Sequence, residues 1–538
     1  MPSNNIQYIV NNISLPFNAS VHEAFSVAKR RVQRLGIQTA GLCFSIYRKS
    51  VDARKKKDIR FVYSVLVSGE MPILPKERLA KEDVSLDLRM QPSIIFGKRK
   101  IDGCPVIVGS GPCGLFCALL LAENGYNPIL IERGGSIEER VARVDRFNKE
   151  RVLDTDTNIQ FGAGGAGTFS DGKLVTRIND SLSSYIIENL VKFGAPADII
   201  TQARPHVGTD ILMKVVQNVI DRIVSLGGEV MYHTTYLGMN AESGNVKSIK
   251  TNRGDIECSD LVLAIGHSAR ETYDSLMSDQ LNIEAKSFSV GMRIEHPTTL
   301  IDTALYGDHA GDPILGHAEY NLSYNTKVRG VYTFCMCPGG VVVAATSENG
   351  GVVSNGMSYH ARDGRNSNSA VCCTVFKDDY GATPKDAIAF QRRIERAAFV
   401  AGGENYSAPI ITVGDFISGD LKAMPTDVIP TYMDGNGVKL ARPETYLPGF
   451  VTDNIKNALF DFDKKIHGFA SASAVLTGAE TRTSAPVRIT RDFEYFTALG
   501  YANLYPAGEG AGYAGGITSA AIDGVKTALK IMSKYCPQ

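Results

Sequence analysis

Residues 105–132, PVIVGSGPCGLFCALLLAENGYNPILIE, constrain the fold of this chain more than any other stretch. Pro105–Val108 is a short apolar run of the kind that forms a buried parallel strand. It runs into a G-x-G-x-x-G loop at 109–114; Leu115–Ala122 is then apolar almost all round, as a helix buried against a sheet should be, and Gly125 ends it. Pro128–Ile131 reads as a second strand. Glu132 follows 18 residues beyond Gly114, where an acid would accept from a ribose hydroxyl. Gly109 allows the tight turn, Gly111 lets backbone approach a pyrophosphate, and Gly114 permits close helix–strand contact. Pro112 and Cys113 at the helix start, and Arg133 beside the acid, are counted with the same site. Spacing alone would be a weak signal; the strand–loop–helix–strand–acid order makes this a dinucleotide fingerprint.

The same spacing recurs as GAGGAG at 162–167 and GAGYAG at 510–515. Neither has the full context. The first is followed by TFSDGKL, which is polar and turn-like. The second precedes a helix-like run, Ile517–Ile531, but lacks the trailing strand and acid. The expectation is one nucleotide contacted by three glycine-rich loops, with no second Rossmann unit in the mid-chain region 205–285.

Composition sets outer bounds. At 538 residues the chain is long enough for about three or four domain-sized units. Lys+Arg and Asp+Glu balance at 57 each, so no global field favours nucleic acid or an anionic membrane. The N-terminal stretch lacks a secretory pattern and no apolar run approaches ~20 residues, which points to a cytoplasmic protein with no membrane span. The ten cysteines include no C-x-x-C, so neither a disulfide framework nor a metal site is expected.

Other stretches carry a more specific likeness. They are KSVDARKK (49–56), FGAGGAGTFSDGKL, RPHVGTD (204–210), LVLAIG (261–266), GHSAR (266–270), RIEHP (293–297), CMCPGG (335–340), NGMS (355–358), ETRTSAPVRI (480–489) and GEGAGYAGG (508–516). Over essentially its whole length the chain resembles bacterial FAD-dependent oxidoreductases often labelled NAD(FAD)-utilizing dehydrogenases. It departs from them at Ala163, where the family usually has Glu, and at Ala485, where it usually has Ser; Glu509 stands where two-loop flavoproteins usually carry Asp.

That resemblance implies an α/β protein with α+β parts: a Rossmann-type FAD-binding domain of the two-loop, glutathione-reductase-like type, an inserted β-rich cap and a small N-terminal α/β domain. The expected boundaries are 1–98 for the N-terminal domain, 101–285 and 478–538 for the two parts of the FAD domain, and 286–477 for the cap. It also implies FAD lying extended. Glu132 would meet the adenosine ribose and Gly109–Gly114 the pyrophosphate. Gly164, Gly165, Ala166, Gly167 and Thr168 would run along the isoalloxazine, with Ser170 and Lys173 as polar edges. Gly266, Gly508, Glu509, Gly516 and Ile517 would meet the ribityl and flavin. For the second and third loops, a plain turn and plain helix–sheet packing remain open alternatives.

Candidates for substrate chemistry are His267 and Arg270 after the Gly266 turn, Arg293 and His296 after an apolar strand, and Arg482; surface or structural roles stay open for each. Cys335 and Cys337 offer a redox pair, against the alternative of inert buried thiols, while Cys113 and Cys117 read as packing. The tip Arg48–Arg60 carries seven Lys/Arg against two Asp. A solvated hairpin is the favoured reading, so nucleic acid is not an expected partner. The expected activity is hydride transfer at flavin N5 to or from a small organic substrate, with NAD(P)H docking transiently and without a Rossmann site of its own. The rival is a flavin-loaded binding or redox-sensing protein that recognises nucleic acid or a protein through its N-terminal domain.

Overall fold

The computed structural model of the chain describes residues 6–176 and 180–537. At its centre the wholly buried strand Val106–Val108 sits in a five-stranded sheet. The order is Leu504–Pro506, Leu261–Leu263, Val106–Val108, Ile129–Ile131 and Glu229–Met231, and every neighbouring pair is parallel. Parallel strands covered on both faces have no polar side to show, which is why they read as unbroken apolar runs. The fingerprint helix extends over Pro112–Glu123, starting at the proline because a missing N–H costs nothing in a first turn. It packs against the C-terminal helix Ile517–Lys534. The two approach so closely that a Cβ at Gly524 would stand 2.1 Å from Cys113 O. Beneath them, a Cβ at Gly114 would stand 1.9 Å from Gly109 O, so only glycine fits.

The mid-chain stretch forms the helix Thr209–Ser225 and an antiparallel meander of Tyr236–Glu242, Asn245–Thr251 and Gly254–Glu257. The GAGGAG loop leads into a single 3-10 turn, Ala166–Phe169.

Residues between the two parts of the parallel sheet build a seven-stranded sheet. Its order is Ser323–Asn325, Gly330–Cys337, Asn366–Val375, Phe288–Pro297, Val475–Glu480, Ala408–Thr412 and Val438–Leu440, antiparallel except at the last pair. The helices Pro384–Ala401 and Gly449–Lys465 belong to the same region. Three details depart from the sequence reading. The expected return at 478 falls inside the strand Val475–Glu480. Arg293 and His296 lie within Phe288–Pro297, not after it. The NGMS stretch is no turn: Ser354–Met357 is a strand paired with Val341–Ala344. Its glycine serves packing, because a Cβ at Gly356 would meet Arg293 Nη1 at 2.2 Å.

The N-terminal sheet has the order Cys43–Asp52, Arg60–Ser68, Gln7–Pro16, Val84–Leu86, with the helix Val21–Arg34 capped by Ser20. The basic tip joins its first two strands, and Lys49 exchanges backbone hydrogen bonds with Thr201 and Ala203 of the dinucleotide region. Among the described residues no helix is long and apolar enough to cross a membrane.

Candidate functional site

The three glycine loops converge on one cavity of about 380 Å³ at the carboxyl ends of the parallel strands. Gly109, Gly111, Pro112 and Cys113 line it from the fingerprint, Gly165, Ala166 and Gly167 from the second loop, and Gly515, Gly516 and Ile517 from the third. Backbone, not side chain, faces the space. A Cβ at Gly266, Gly515 or Gly516 would meet nothing within 4 Å, and one at Gly111 only Gly165 Cα at 3.9 Å. A second, more open groove of about 500 Å³ lies against the helix Pro384–Ala401, bordered by Lys385, Arg392 and Arg396, and none of the glycine loops reaches it.

One carboxylate ties the loops together. Glu132 Oε2 accepts from Ser110 N at 3.0 Å and Ser110 Oγ at 2.7 Å. Its Oε1 accepts from Gly134 N and Gly162 N, both at 3.0 Å. The first and second loops therefore share an acceptor. Arg133 lines the cavity too, paired with Asp156 at 2.6 Å.

The second loop has a further brace that sequence reasoning missed. Arg140 is fully buried and donates to Asn158 O at 2.8 Å, Ala163 O at 2.7 Å and Ile159 O at 2.6 Å. Its guanidinium lies 4.7 Å from the Phe169 ring centroid. The signal was there: on the helix Ile137–Glu150, the buried residues are Ile137, Arg140, Val144 and Phe147, so the arginine occupies a core position of the amphipathic repeat.

Not every expected residue reaches the cavity. Gly114, Gly164, Thr168 and Gly508 stand behind it, where small size serves packing; a Cβ at Gly164 would meet Thr168 Oγ1, and one at Gly508 would meet Cys113 Cβ at 2.8 Å. Gly266, Glu509, Ser170 and Lys173 line it. Of the candidate catalytic residues, His267 and Arg482 line it, whereas Arg270 and Arg293 do not. The reason is charge: both are buried and need anions. Arg270 meets Glu395 at 2.7 Å and Arg293 meets Glu480 at 2.9 Å. His296 is buried with Nε2 2.7 Å from Phe469 O, away from the site.

Arg482 also pairs with Glu395, at 3.1 Å. Burial works against the charge of Glu395, yet Arg270 and Arg482 together hold its carboxyl well below the usual range. His267 lies against these arginines. Burial, with Arg482 and Arg270, pushes its pKa down to about 3, so the imidazole is neutral at physiological pH. Its Nδ1 is 2.9 Å from Ser268 Oγ, which in turn donates to Gln160 Oε1. Glu509 shifts the other way: burial lifts its carboxyl to about 7. Asp171, Arg204, Glu319, Thr333, Cys335 and Asn355 also line it, and of these only Cys335 was singled out in the sequence as a candidate.

A family model described as "FAD-dependent protein, C-terminal domain-like" matches residues 287–483, and a domain of unknown function (DUF8436) matches residues 8–68. A Clostridium beijerinckii protein, described as uncharacterized, is 44% identical over 532 residues, covering 98% of this chain and 98% of its own. Solved structures with a similar course include glycine oxidase from Bacillus cereus, at 10% identity over 81% of this chain and 98% of that one, with a TM-score of 0.35. L-amino acid deaminase from Proteus vulgaris is 12% identical over 82% of this chain and 97% of that one, with a TM-score of 0.31. Likeness at that level does not bear on what this chain does. The chain belongs with the Clostridium protein to a bacterial family of FAD-dependent proteins, and its cofactor is FAD. The residues present fit that group. Bare backbone at Gly111, Gly266, Gly515 and Gly516 forms a cradle that any Cβ would fill, and two helix N-termini border it, as an anionic dinucleotide requires.

Proposed function

We propose that the protein moves a hydride between FAD and a small organic substrate bound in the same cavity, against the wall that carries His267, Arg482, Lys173 and Arg204. The observation that carries this reading is the shared cavity. Three glycine loops form one side, and polar side chains from outside the parallel sheet form the other. When bound, FAD supplies a two-electron donor and acceptor at its isoalloxazine.

The residues of the chain would do the rest. Glu132, Gly109, Gly111, Pro112, Cys113 and Arg133 would hold the adenosine and pyrophosphate end. Gly165, Ala166 and Gly167 would lie along the ring system, and Gly266, Glu509, Gly516 and Ile517 along the ribityl and flavin. The N-terminus of Ile517–Lys534 contributes about half a positive charge at the cavity, which favours negative charge developing there. Neutral His267 would accept a hydrogen bond from substrate without adding charge. Arg482, Lys173 and Arg204 would orient an anionic or strongly polar group. NAD(P)H, where it donates, would dock transiently, because the described residues contain one parallel dinucleotide sheet and no second.

The test uses the purified protein. Heat release and chromatography should yield FAD, and FMN instead would overturn the cofactor placement. Anaerobic mixing with panels of carboxylates, amines and alcohols, and with NADH and NADPH, should bleach the flavin absorbance with at least one small organic substrate. Saturable NAD(P)H reduction with a micromolar-range constant, and a pyridine nucleotide bound at 162–167, would overturn the single-nucleotide reading. Flavin unresponsive to every reductant, with nucleic acid copurifying in a salt-sensitive way, would favour a binding protein.

A further inference from the structure

The strand Gly330–Cys337 ends in a feature that the cofactor site does not use. Its pairing with Asn366–Val375 runs to Phe334↔Ala370 and resumes at Cys337↔Asn368, so one extra residue bulges from the ladder. Cys335, in that bulge, takes φ +47°, a left-handed conformation that L side chains avoid and that tends to mark functional loops. In an unbroken strand, residues 335 and 337 would face the same side roughly 7 Å apart. Here Cys337 Sγ lies 3.3 Å from Cys335 O.

Two cations hold the bulge. Arg293 Nη1 donates to Cys335 O at 2.9 Å, and the Lys173 ammonium donates to Met336 O. Lys173 itself comes from the segment following the second glycine loop, so the cavity wall and the bulge are built as one piece. The two thiols then differ in access. Cys335 lines the cavity alongside Gly266, Glu509 and Ile517, while Cys337 is buried behind it with no exposed surface.

Inert packing is the alternative, and the other cysteines show what it looks like. Burial pushes the thiols of Cys113, Cys117, Cys258, Cys372 and Cys373 up. Cys335 goes the other way: hydrogen bonding with the Cys337 thiol, helped by the charges of Arg293 and Lys173, favours its thiolate despite burial. One accessible, easily ionised thiol with a buried neighbour is the arrangement of an attacking and a resolving cysteine.

We propose that Cys335 and Cys337 form a redox-active dithiol that exchanges two electrons with the FAD, an activity resting on the reading that FAD occupies this cavity. In the oxidising direction both S–H bonds are lost and one S–S bond forms. The electron pair and one proton pass to oxidised FAD, and the second proton leaves to solvent. The reverse reaction reduces the disulfide at the expense of reduced flavin.

The test weighs the thiols in the FAD-loaded wild type. One sample is equilibrated in air and another photoreduced without oxygen; both are quenched in acid, alkylated with N-ethylmaleimide without added reductant, and digested. The peptide carrying Cys335 and Cys337 should come from the aerobic sample unalkylated and two hydrogens lighter, and from the reduced sample with both thiols alkylated. Anaerobic dithionite titration should give an uptake of about four electrons per flavin in wild type and about two in Cys335→Ser and in Cys337→Ser. Alkylation of both cysteines in both samples, or an uptake of about two electrons in FAD-loaded wild type, overturns the dithiol and leaves the cofactor reading intact. Protein that carries no FAD overturns both together.

Discussion

The loops at 109–114 and 162–167 share one spacing and border one cavity, yet they are held in place by different physics. The first is locked by apolar packing. It runs from a buried strand into a buried helix, and a Cβ added to its last glycine would stand 1.9 Å from the carbonyl oxygen of its first. The second has no helix to carry it, only the turn Ala166–Phe169, and its backbone is braced by the guanidinium of Arg140 and the carboxylate of Glu132. A glycine pattern states where backbone must come close to something. The residues around it decide what keeps it there.

The comparison can be broken at each end. The largest effect on stability is expected for Gly114→Val, whose side chain would be driven into backbone that cannot yield. Loss of soluble folded protein, or destabilisation of at least about 4 kcal/mol by urea unfolding, is the expected outcome. A native unfolding midpoint would show that the first loop is not packing-locked. Arg140→Met should cost about 3 kcal/mol, because the carbonyls of Asn158, Ile159 and Ala163 are left without their donor. FAD content should fall with it, and Arg140→Lys should recover only part, since an ammonium cannot reach the same fan of acceptors.

The third change sharpens the contrast by separating folding from binding. Gly516→Leu adds a side chain with nothing within 4 Å, at a φ of 164° that any residue adopts. Compared with flavin-free wild type, unfolding should move by less than about 0.5 kcal/mol, while the purified protein emerges without yellow colour. Full flavin content in this variant would mean that the third loop does not meet the cofactor.

Glu509→Gln gives the most conditional effect, visible only against pH in flavin-free protein. Burial raises this carboxyl from 4.5 to about 7, so the folded state favours the protonated form. Its contribution is fully present below the unfolded pKa and is lost as pH rises through the folded one. Wild-type stability should therefore fall between about pH 4.5 and pH 7 by on the order of 2 kcal/mol relative to the variant. Parallel curves for the two proteins would show that Glu509 is not desolvated.

The fingerprint was legible in sequence because strand, glycine loop, helix and acid are contiguous, and apolar periodicity reports burial directly. The helix after the third loop was legible in the same way, whereas the loop's place beside a flavin came only from the resemblance. What sequence concealed was the fate of buried charge. Arg270 and Arg293 stand beside motifs that suggest a cavity, yet their partners Glu395 and Glu480 lie 125 and 187 residues away in the chain. Nothing local announces those pairs. The bulge at Cys335 was concealed too, because C-x-C looks like an even strand until the facing strand is known to be one residue shorter across that interval.

Glu395 has one further consequence, for how the chain can be divided. It sits on the helix Pro384–Ala401, inside the long insertion, and it neutralises Arg270 from the dinucleotide side and Arg482 from the returning segment. A version with the insertion excised and its ends rejoined would keep both arginines and lose their shared counter-charge. Two cations would then be stranded in what had been interior. The insertion and the nucleotide-binding region thus share one buried charge cluster, and a genetic shuffle that exchanges one of them must carry the arginines and the glutamate as a set.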